Sequence, residues 1–548
     1  MGRVLPRVWG CSAPAGSPPS SVPPRPGWAG ACASSNSRRP RRRPRVRPPG
    51  QQRGQSSDAR RIPYLPTLSE LSSSLGSRTV LNTALVLAAR IVSRLVALVT
   101  VVVLANHLGG DGYGRYTTLV AYSALVSVVA DLGLNVLYTR EAARDPARLA
   151  RFLSTLITGK LALSAVAALI LAGALAFAGL GSLLLPGAIL LALTTYASLL
   201  RNTFYAVGRL EFEVVAILGE IAIQAGLILF GARSGQGVPY FIWAYAASYG
   251  FTCVYCLVVI PLFRLAPLTF DFDLGLFKAW LRLAFPFAIG SFLTNLYFKA
   301  DVPILQHFKP FQEVGWYQFA YKPFESLQFL PLAIQTVVYP LLGVYHRESA
   351  AMLSAAYARF FKILLLLGWP LSVGTFVLVH PVGRLFRLFP QSEPSLRILS
   401  LAIVFLFVNS AFTAMLYAID RQDLFAWATA VAVVINLALN FALIPLYGYL
   451  AASATTVVTE AAFSVAGWWL VGRRYQLPWL RLSWRVVLAG LAMGAVLVPL
   501  AGRSIFISVP VGGLVYVAAL WLLRAVEREE IDLVLSGMKL KRRPAARV

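Results

Sequence analysis

Charge is scarce in this chain. Only 13% of its 548 residues are Asp, Glu, Lys or Arg, about half the share that is usual in soluble domains, while 57% are hydrophobic. From Leu81 to Leu523 the sequence is a series of apolar runs, each about 20 residues long, the length that an α-helix needs to cross a bilayer. Soluble helices have polar faces and caps that these runs lack. We therefore predict an all-α integral membrane protein with about fourteen transmembrane helices.

Cysteine and histidine are also scarce, with four of each. Cys253 and Cys256 form a C-x-x-C pair inside an apolar run, but a redox or metal site of this kind needs a soluble βαβ unit or a second ligand pair. The histidines all lie near predicted loop ends, and none pairs with another at i,i+4. The four are His107, His307, His346 and His380. We predict no metal, no cofactor and no catalytic triad, and we interpret the cysteines as packing residues.

Domains outside the membrane are missing as well. No G-x-x-x-x-G-K-[ST] motif occurs, so we do not expect ATP hydrolysis in this chain. The loops predicted on the outer side are short, whereas an integral-membrane enzyme that joins sugars there usually needs a sizeable loop or domain for its acceptor. These absences favour a transporter over a glycan polymerase or ligase, and we predict that the protein is not an enzyme.

The net charge of +27 is unevenly distributed along the chain. Residues 1–61 hold thirteen Arg against a single acid, Asp58, with Pro and Ser between them. This composition predicts disorder rather than a folded nucleic-acid-binding module, because few aromatic residues are available to stack on bases. Two readings stay open: the tail contacts anionic phospholipid head groups, or it is an upstream extension created by a misplaced start codon. In neither case do we expect a nucleic-acid partner.

Lys and Arg also indicate the orientation of the chain. An even number of crossings returns both tails to one side of the membrane, and the loops predicted on that side carry more than twice as many Lys and Arg as the opposite loops. Because cytoplasmic loops are enriched in Lys and Arg, both termini are predicted to be cytoplasmic.

Two arginines lie near the middle of the first predicted crossing. Arg90 and Arg94 are four residues apart and therefore share one helix face. A charge at this depth costs about 2.5–3.5 kcal/mol unless it faces water or a partner. Like charges one turn apart repel, so a bound anion in a water-filled cavity is one explanation, and Arg suits phosphate best. Ion pairs that fix helix packing are the alternative.

Other polar residues interrupt the apolar runs. Asn295 and Lys299 share a face of the seventh predicted crossing and are further candidates for the cavity. Four carboxylates are candidates either for ion coupling or for structural ion pairs. They are Asp131, Glu220, Asp301 and Glu460. A structural ion pair and a functional role have equal weight for Asp131, for the pair Asp301 and Lys299, and for the pair Glu325 and Lys322.

A faint internal repeat is present. Gly114-Arg115-Tyr116 opens the second predicted crossing, and Gly315-Trp316-Tyr317 opens the eighth. Six crossings separate the copies, so the two halves would have the same orientation. Parallel halves related by an axis along the membrane normal are a known transporter plan, with the substrate site at their interface.

Several segments resemble one membrane-protein family. Residues 436–460 read NLALNFALIPLYGYLAASATTVVTE and resemble the N-x3-N-x4-P-x2-G-x2-A-A segment of polysaccharide-type flippases of the MOP (multidrug/oligosaccharidyl-lipid/polysaccharide) exporter superfamily. Residues 82–116 resemble that family's first helix and its L-G-x3-Y-G-x-Y turn. Residues 130–141, ADLGLNVLYTRE, are similar to the end of its second helix, and residues 295–305 and 314–340 resemble helices seven and eight. The resemblance runs in order from Ser77 to Leu523.

The resemblance implies a V-shaped pair of pseudo-symmetric six-helix lobes around a central cationic cavity, followed by two extra helices. Ser93-Arg94 matches an S-R pair that lines the cavity in the related lipid II flippases, whereas a later helix-one Arg of those proteins falls near Thr100 here. The family usually carries Arg before the helix-seven Asp, where this chain has Lys299.

The resemblance also implies the organisation of the chain. The predicted order is a basic tail, an N-lobe, a cytoplasmic linker, a C-lobe, two extra helices and a second basic tail. The corresponding residues are 1–76, 77–263, 264–280, 281–472, 473–523 and 524–548.

The implied function is translocation of an undecaprenyl-diphosphate-linked oligosaccharide from the cytoplasmic to the outer leaflet by alternating access, for cell-surface polysaccharide biosynthesis. The implied location is the plasma (inner) membrane of a bacterium, and glycosyltransferases or a polymerase of the same pathway would be partners. A cation-coupled multidrug exporter of the same fold is the alternative. Its cavity should be acidic, and Arg90 with Arg94 argues against it.

Overall fold

The computed structural model describes residues 68–145, 148–268 and 271–526, and side chains are described from residue 85 onward except at 337 and 340. The regular elements within these ranges are α-helices and short 3-10 or π segments, which confirms the predicted all-α membrane fold. Residues 1–67 and 527–548, which carry most of both predicted tails, lie outside the described residues.

The helices are numbered in chain order. The first six are α1 (Leu68–Asp131), α2 (Leu134–Arg144), α3 (Leu149–Phe177), α4 (Leu184–Val207), α5 (Leu210–Arg233) and α6 (Val238–Leu262). The next six are α7 (Leu274–Lys299), α8 (Asp301–Phe308), α9 (Phe311–Leu327), α10 (Phe329–Glu348), α11 (Ala350–Val377) and α12 (Val379–Leu385). The last five are α13 (Ser392–Ala418), α14 (Gln422–Tyr447), α15 (Tyr449–Gly467), α16 (Trp479–Leu497) and α17 (Ile505–Leu522).

The number of membrane crossings depends on how bent helices are counted. Twelve described helices are long and apolar enough to span, or thirteen if the bent pair Phe311–Thr336 and Leu341–Glu348 is one span. One of the twelve, Leu85–Asp131, has 47 residues, about 70 Å of helix against a hydrocarbon core of about 30 Å. Two helices join inside it at Gly109, whose φ of 68° favours glycine. Counting this segment as two crossings and the bent pair as one gives the predicted number of about fourteen.

Helix starts differ from the predicted boundaries in two places. α1 begins at Leu68, so residues 68–76 are helical although they were predicted as tail. α7 begins at Leu274, inside the predicted linker 264–280. Its N-cap is Asp273, whose carboxylate accepts a hydrogen bond from the Leu276 N–H at 2.9 Å. That bond, together with the Arg151 guanidinium, holds the pKa of Asp273 below its ordinary value.

Helix α1 is the centre of the packing around the site. It contacts α3, α4, α5, α6, α7 and α9, while α4, α5 and α6 also pack on one another. The second half of α1 crosses α9 where the two predicted repeat segments lie. Large apolar side chains such as Leu104, Tyr113 and Phe319 are fully buried around this crossing. A polar cavity lies between the first half of α1 and residues of α9 and α10.

Candidate functional site

A buried ion-pair network joins α4 and α5. Arg201 donates to both carboxylate oxygens of Glu213 at 2.6 and 2.9 Å, and to Glu220 Oε2 at 3.0 Å. Glu220 also accepts from the Thr252 hydroxyl of α6 at 3.0 Å. The side chain of Glu213 is only 1% exposed, so the bidentate Arg201 contact supplies the pairing that a buried carboxylate requires.

Arg90 lies at the edge of this network. One of its Nη atoms donates to the Tyr205 hydroxyl at 2.8 Å and lies 3.7 Å from Glu213 Oε1. The Tyr205 hydroxyl in turn donates to the same carboxylate at 3.1 Å. The Arg90 side chain is 56% exposed, so it faces open space while it remains tethered.

Arg94 differs from its neighbours. Among the described residues it makes no hydrogen bond or ion pair, and its side chain is exposed. Arg94 faces a cavity of about 490 Å³, which we call the cationic compartment. Its charged lining residues are Arg90, Arg94, Arg201, Glu220 and Glu325, and Ser93, Gln224 and Gln328 add uncharged polar groups. An unpaired guanidinium inside a membrane-embedded cavity has donors available for an anion.

Glu325 on α9 forms ion pairs with two lysine side chains. It accepts from Lys322 Nζ at 2.7 Å and from Lys299 Nζ at 3.2 Å. The predicted Lys322–Glu325 pair is therefore present, whereas Lys299 binds Glu325 instead of Asp301. Asp301 accepts from the Tyr317 hydroxyl and from the Val302 N–H.

The charges that line or brace the cationic compartment do not balance. The group contains three carboxylates and five cationic side chains, so its formal net charge is +2. The carboxylates are Glu213, Glu220 and Glu325, and the cations are Arg90, Arg94, Arg201, Lys299 and Lys322. This electrostatic field attracts anions and disfavours organic cations.

A second cavity, of about 340 Å³, lies between the end of α1 and helices α2, α4 and α7. We call it the hydroxyl compartment. Its defining residues are Ser123, Ser127, Asp131, Asn135, Thr195 and Ser198. Asn295 of α7 also lines it, and Tyr245 of α6 lines both compartments.

Lys160 of α3 organises the hydroxyl compartment from behind. Its fully buried ammonium donates to Asp131 Oδ1 at 2.7 Å and to Asn135 Oδ1 at 3.0 Å. Asn135 then donates to the Ser198 hydroxyl at 3.1 Å. The Asp131 side chain is 22% exposed, so the carboxylate faces the cavity while its counter-charge does not.

Glu460 lies away from both compartments. It accepts from Asn409 Nδ2 at 2.7 Å and lines a small cavity of about 160 Å³ together with Tyr297 and Phe463.

The structure brings five of the residues selected from the sequence to the two compartments. Arg90, Arg94 and Glu220 line one compartment, Asp131 and Asn295 line the other, and all five are residues that sequence reasoning selected. Sequence reasoning missed three charged residues that organise the compartments: Arg201, Glu213 and Lys160. Arg201 lies within α4, close to its C-terminal end. The available signal was the seven-residue spacing of Glu213 and Glu220, which places both on one face of α5.

Comparisons with known proteins agree with the architecture. The family described as "Polysaccharide biosynthesis protein" matches residues 80–346, and the family MatE matches residues 286–442. No curated protein matches this sequence.

Three solved structures share the fold. The lipid II flippase MurJ in an inward closed conformation is 16% identical with a TM-score of 0.65, and the match covers 80% of this chain and 99% of MurJ. An inward-facing multidrug resistance MATE family transporter of the MOP superfamily is 15% identical with a TM-score of 0.56, and the match covers 70% and 94%. A MOP superfamily transporter from Pyrococcus furiosus, described as having a binding pocket of reverse polarity, is 16% identical with a TM-score of 0.50, and the match covers 73% and 95%.

Proposed function

We propose that this chain belongs to the polysaccharide-type branch of the MOP exporter superfamily and that it flips a polyprenyl-diphosphate-linked oligosaccharide from the cytoplasmic to the outer leaflet. It is a multi-pass membrane protein of a transporter fold, and we assign it no catalytic role.

The unpaired Arg94 carries this proposal. A lipid diphosphate cannot cross hydrocarbon unaided, because its charged head loses its hydration there. Arg94 offers a free bidentate donor, and Arg90 one turn away enlarges the positive field. Lys299 and Lys322 add positive charge from the α9 side through Glu325. The diphosphate would therefore bind between helices of the first and second halves of the chain.

Rocking of the two halves then changes which leaflet the cavity faces. The cationic compartment is lined by α1, α4, α5 and α6 on one side and by residues of α9 and α10 on the other. We assign the moving bodies to residues 77–263 and 281–472. The prenyl tail stays in lipid throughout, because it gains nothing by leaving hydrocarbon.

The carboxylates divide into two groups for coupling. Asp131 and Glu220 each bind a cation, Lys160 and Arg201, and serve as structural ion pairs. Asp301 and Glu460 instead accept hydrogen bonds from uncharged groups. We assign the second group as the candidates for proton coupling.

The cellular setting follows from the same proposal. The chain would lie in the inner membrane of a bacterium with both termini cytoplasmic, because Lys and Arg are concentrated in the loops on that side. Its partners would be anionic phospholipids together with the glycosyltransferases or polymerase that make and consume its substrate.

The match to the MatE family over residues 286–442 favours a second candidate, a cation-coupled multidrug exporter. Such a cavity should attract organic cations. The two surplus positive charges of the cationic compartment disfavour these substrates, so we rank the exporter second.

Transport in reconstituted vesicles, normalised to folded protein, tests the proposal. Arg94→Ala should abolish flipping of a lipid-linked oligosaccharide, and Arg94→Lys should restore only part of it because the planar fork is lost. Lys299→Ala should have a smaller effect, since two arginines remain. Full activity per folded molecule for both Arg94→Ala and Lys299→Ala would overturn the cationic-cavity mechanism. Export of organic cations by the wild type would favour the second candidate.

A further inference from the structure

We propose that the hydroxyl compartment binds the first, uncharged sugar of the substrate, the one bonded directly to the diphosphate; this inference rests on the proposed function. Its volume of about 340 Å³ falls in the range of small-ligand sites, roughly 300–1,000 Å³. The diphosphate would then bind in the cationic compartment and the first sugar in the hydroxyl compartment.

The compartment has the pattern of donors and acceptors that a sugar requires. Lys160 fixes the Asp131 carboxylate and the Asn135 amide, and Asn135 fixes Ser198. The Asp131 Oδ2 oxygen stays available as an acceptor, and the Ser198 hydroxyl can still donate its proton. Groups that are already held in place lose little conformational entropy on binding a ligand.

Two further hydroxyls in this lining have no partner. Ser123 and Thr195 are 8% and 5% exposed, and within the described part of the chain the side-chain oxygen of each makes no hydrogen bond. A buried hydroxyl without a partner costs about 1–3 kcal/mol. Both residues line the same cavity from different helices, α1 and α4, so a ligand in this cavity is a candidate partner for both hydroxyls.

The charge distribution favours an uncharged sugar. Lys160 is fully buried behind Asp131, so the charged group that reaches the cavity is the carboxylate. A hexuronic acid would place a second carboxylate beside it, and like charges at short range repel. A neutral hexose can instead donate a hydroxyl proton to Asp131.

The two compartments are neighbours, so a sugar in the hydroxyl compartment would lie next to a diphosphate in the cationic compartment. Tyr245 lines both compartments, so the two cavities share a wall. A neighbouring cavity of about 280 Å³ is lined by Arg90 and Arg201 as well as by Ser198 of the hydroxyl compartment. The sugar bonded directly to the diphosphate is the part of the substrate that must lie this close to the arginines.

Binding to the detergent-purified full chain tests the proposal with three probes: a bare polyprenyl diphosphate, the same lipid carrying one neutral hexose, and the same lipid carrying one hexuronic acid. The variants are Ser123→Ala and Thr195→Val. The matched control is Thr118→Val, because Thr118 is also a buried, unpartnered hydroxyl on α1 but does not line the compartment. Melting temperature is recorded for every protein, and removal of an unpartnered hydroxyl should not lower it.

The wild type should bind the hexose probe more tightly than the bare and hexuronic acid probes. The ratio of hexose to bare affinity should fall about three- to tenfold in Ser123→Ala and in Thr195→Val, the effect of one lost hydrogen bond, and should persist in Thr118→Val. An unchanged ratio in both variants would overturn the sugar subsite, as would equal wild-type affinity for all three probes. A wild type that binds none of the probes would overturn the proposed function itself.

Discussion

Gly114 and Gly315 lie on opposite sides of the crossing between α1 and α9, and each faces the carbonyl group four residues before the other. A Cβ on Gly114 would overlap the Phe311 carbonyl oxygen, and one on Gly315 would overlap the Gly110 carbonyl oxygen. The contact is therefore reciprocal, as in a pseudo-two-fold pair. It joins the two G-x-Y segments in which the sequence suggests a repeat.

Replacing either glycine should open this crossing. Gly114→Ala or Gly315→Ala forces backbone apart, and overpacking of this kind costs about 1–3 kcal/mol. We expect a lower melting temperature and slower transport per folded molecule. Gly226→Ala on α5 is the control, because a Cβ there meets no atom within 4 Å. Indistinguishable behaviour of all three variants would show that the crossing tolerates a side chain.

Arg201→Leu should destabilise the fold strongly. It leaves Glu213 buried at 1% exposure without its bidentate partner, and breaking a buried ion pair costs about 3–5 kcal/mol. The double variant Arg201→Leu with Glu213→Gln should recover much of this loss, because the buried charge is removed as well. Thermal unfolding in detergent measures both effects. Wild-type stability of the single variant would contradict the structural role of this pair.

Lys160→Met should cost less than Arg201→Leu. The partner that it leaves, Asp131, is 22% exposed and reaches cavity water, so its charge remains partly hydrated. Thermal unfolding of the two single variants in parallel gives the comparison. A larger loss for Lys160→Met would mean that Asp131 is effectively sealed from the cavity.

The predicted orientation can be tested with single cysteines in a background that lacks the four native ones. Asp145→Cys and His307→Cys both place the thiol at an exposed helix end. His307 is preferred to Gln306, which accepts a hydrogen bond from Tyr122. An impermeant thiol reagent applied to intact cells should label position 307 and spare position 145, because Lys and Arg mark the 145 side as cytoplasmic. The opposite labelling pattern would reverse the topology.

The periodicity of apolar residues predicted the fold well, because bilayer thickness dictates the length of each crossing. Boundaries were harder: the two predicted crossings on either side of Gly109 are helices that meet directly at a kink, and Asp273 caps α7 earlier than the apolar pattern alone suggests. At the site, Arg90 and Arg94 were visible because they share one helix face. Lys160 was not, because its partner Asp131 lies on another helix and sequence spacing carries no information about that pairing.

The two surplus positive charges of the cationic compartment have an electrical consequence on the proposed cycle. A lipid diphosphate carries a negative charge on each phosphate, so the loaded compartment is nearly neutral and the membrane potential acts on it weakly. The empty compartment remains positive, and moving charge through the field is worth about 2.3 kcal/mol per elementary charge per 100 mV. A membrane potential that is negative inside would therefore favour return of the empty compartment to the state that faces the cytoplasm. On this proposed cycle the membrane potential would drive the return of the empty transporter, and that half of the cycle would be the electrogenic one.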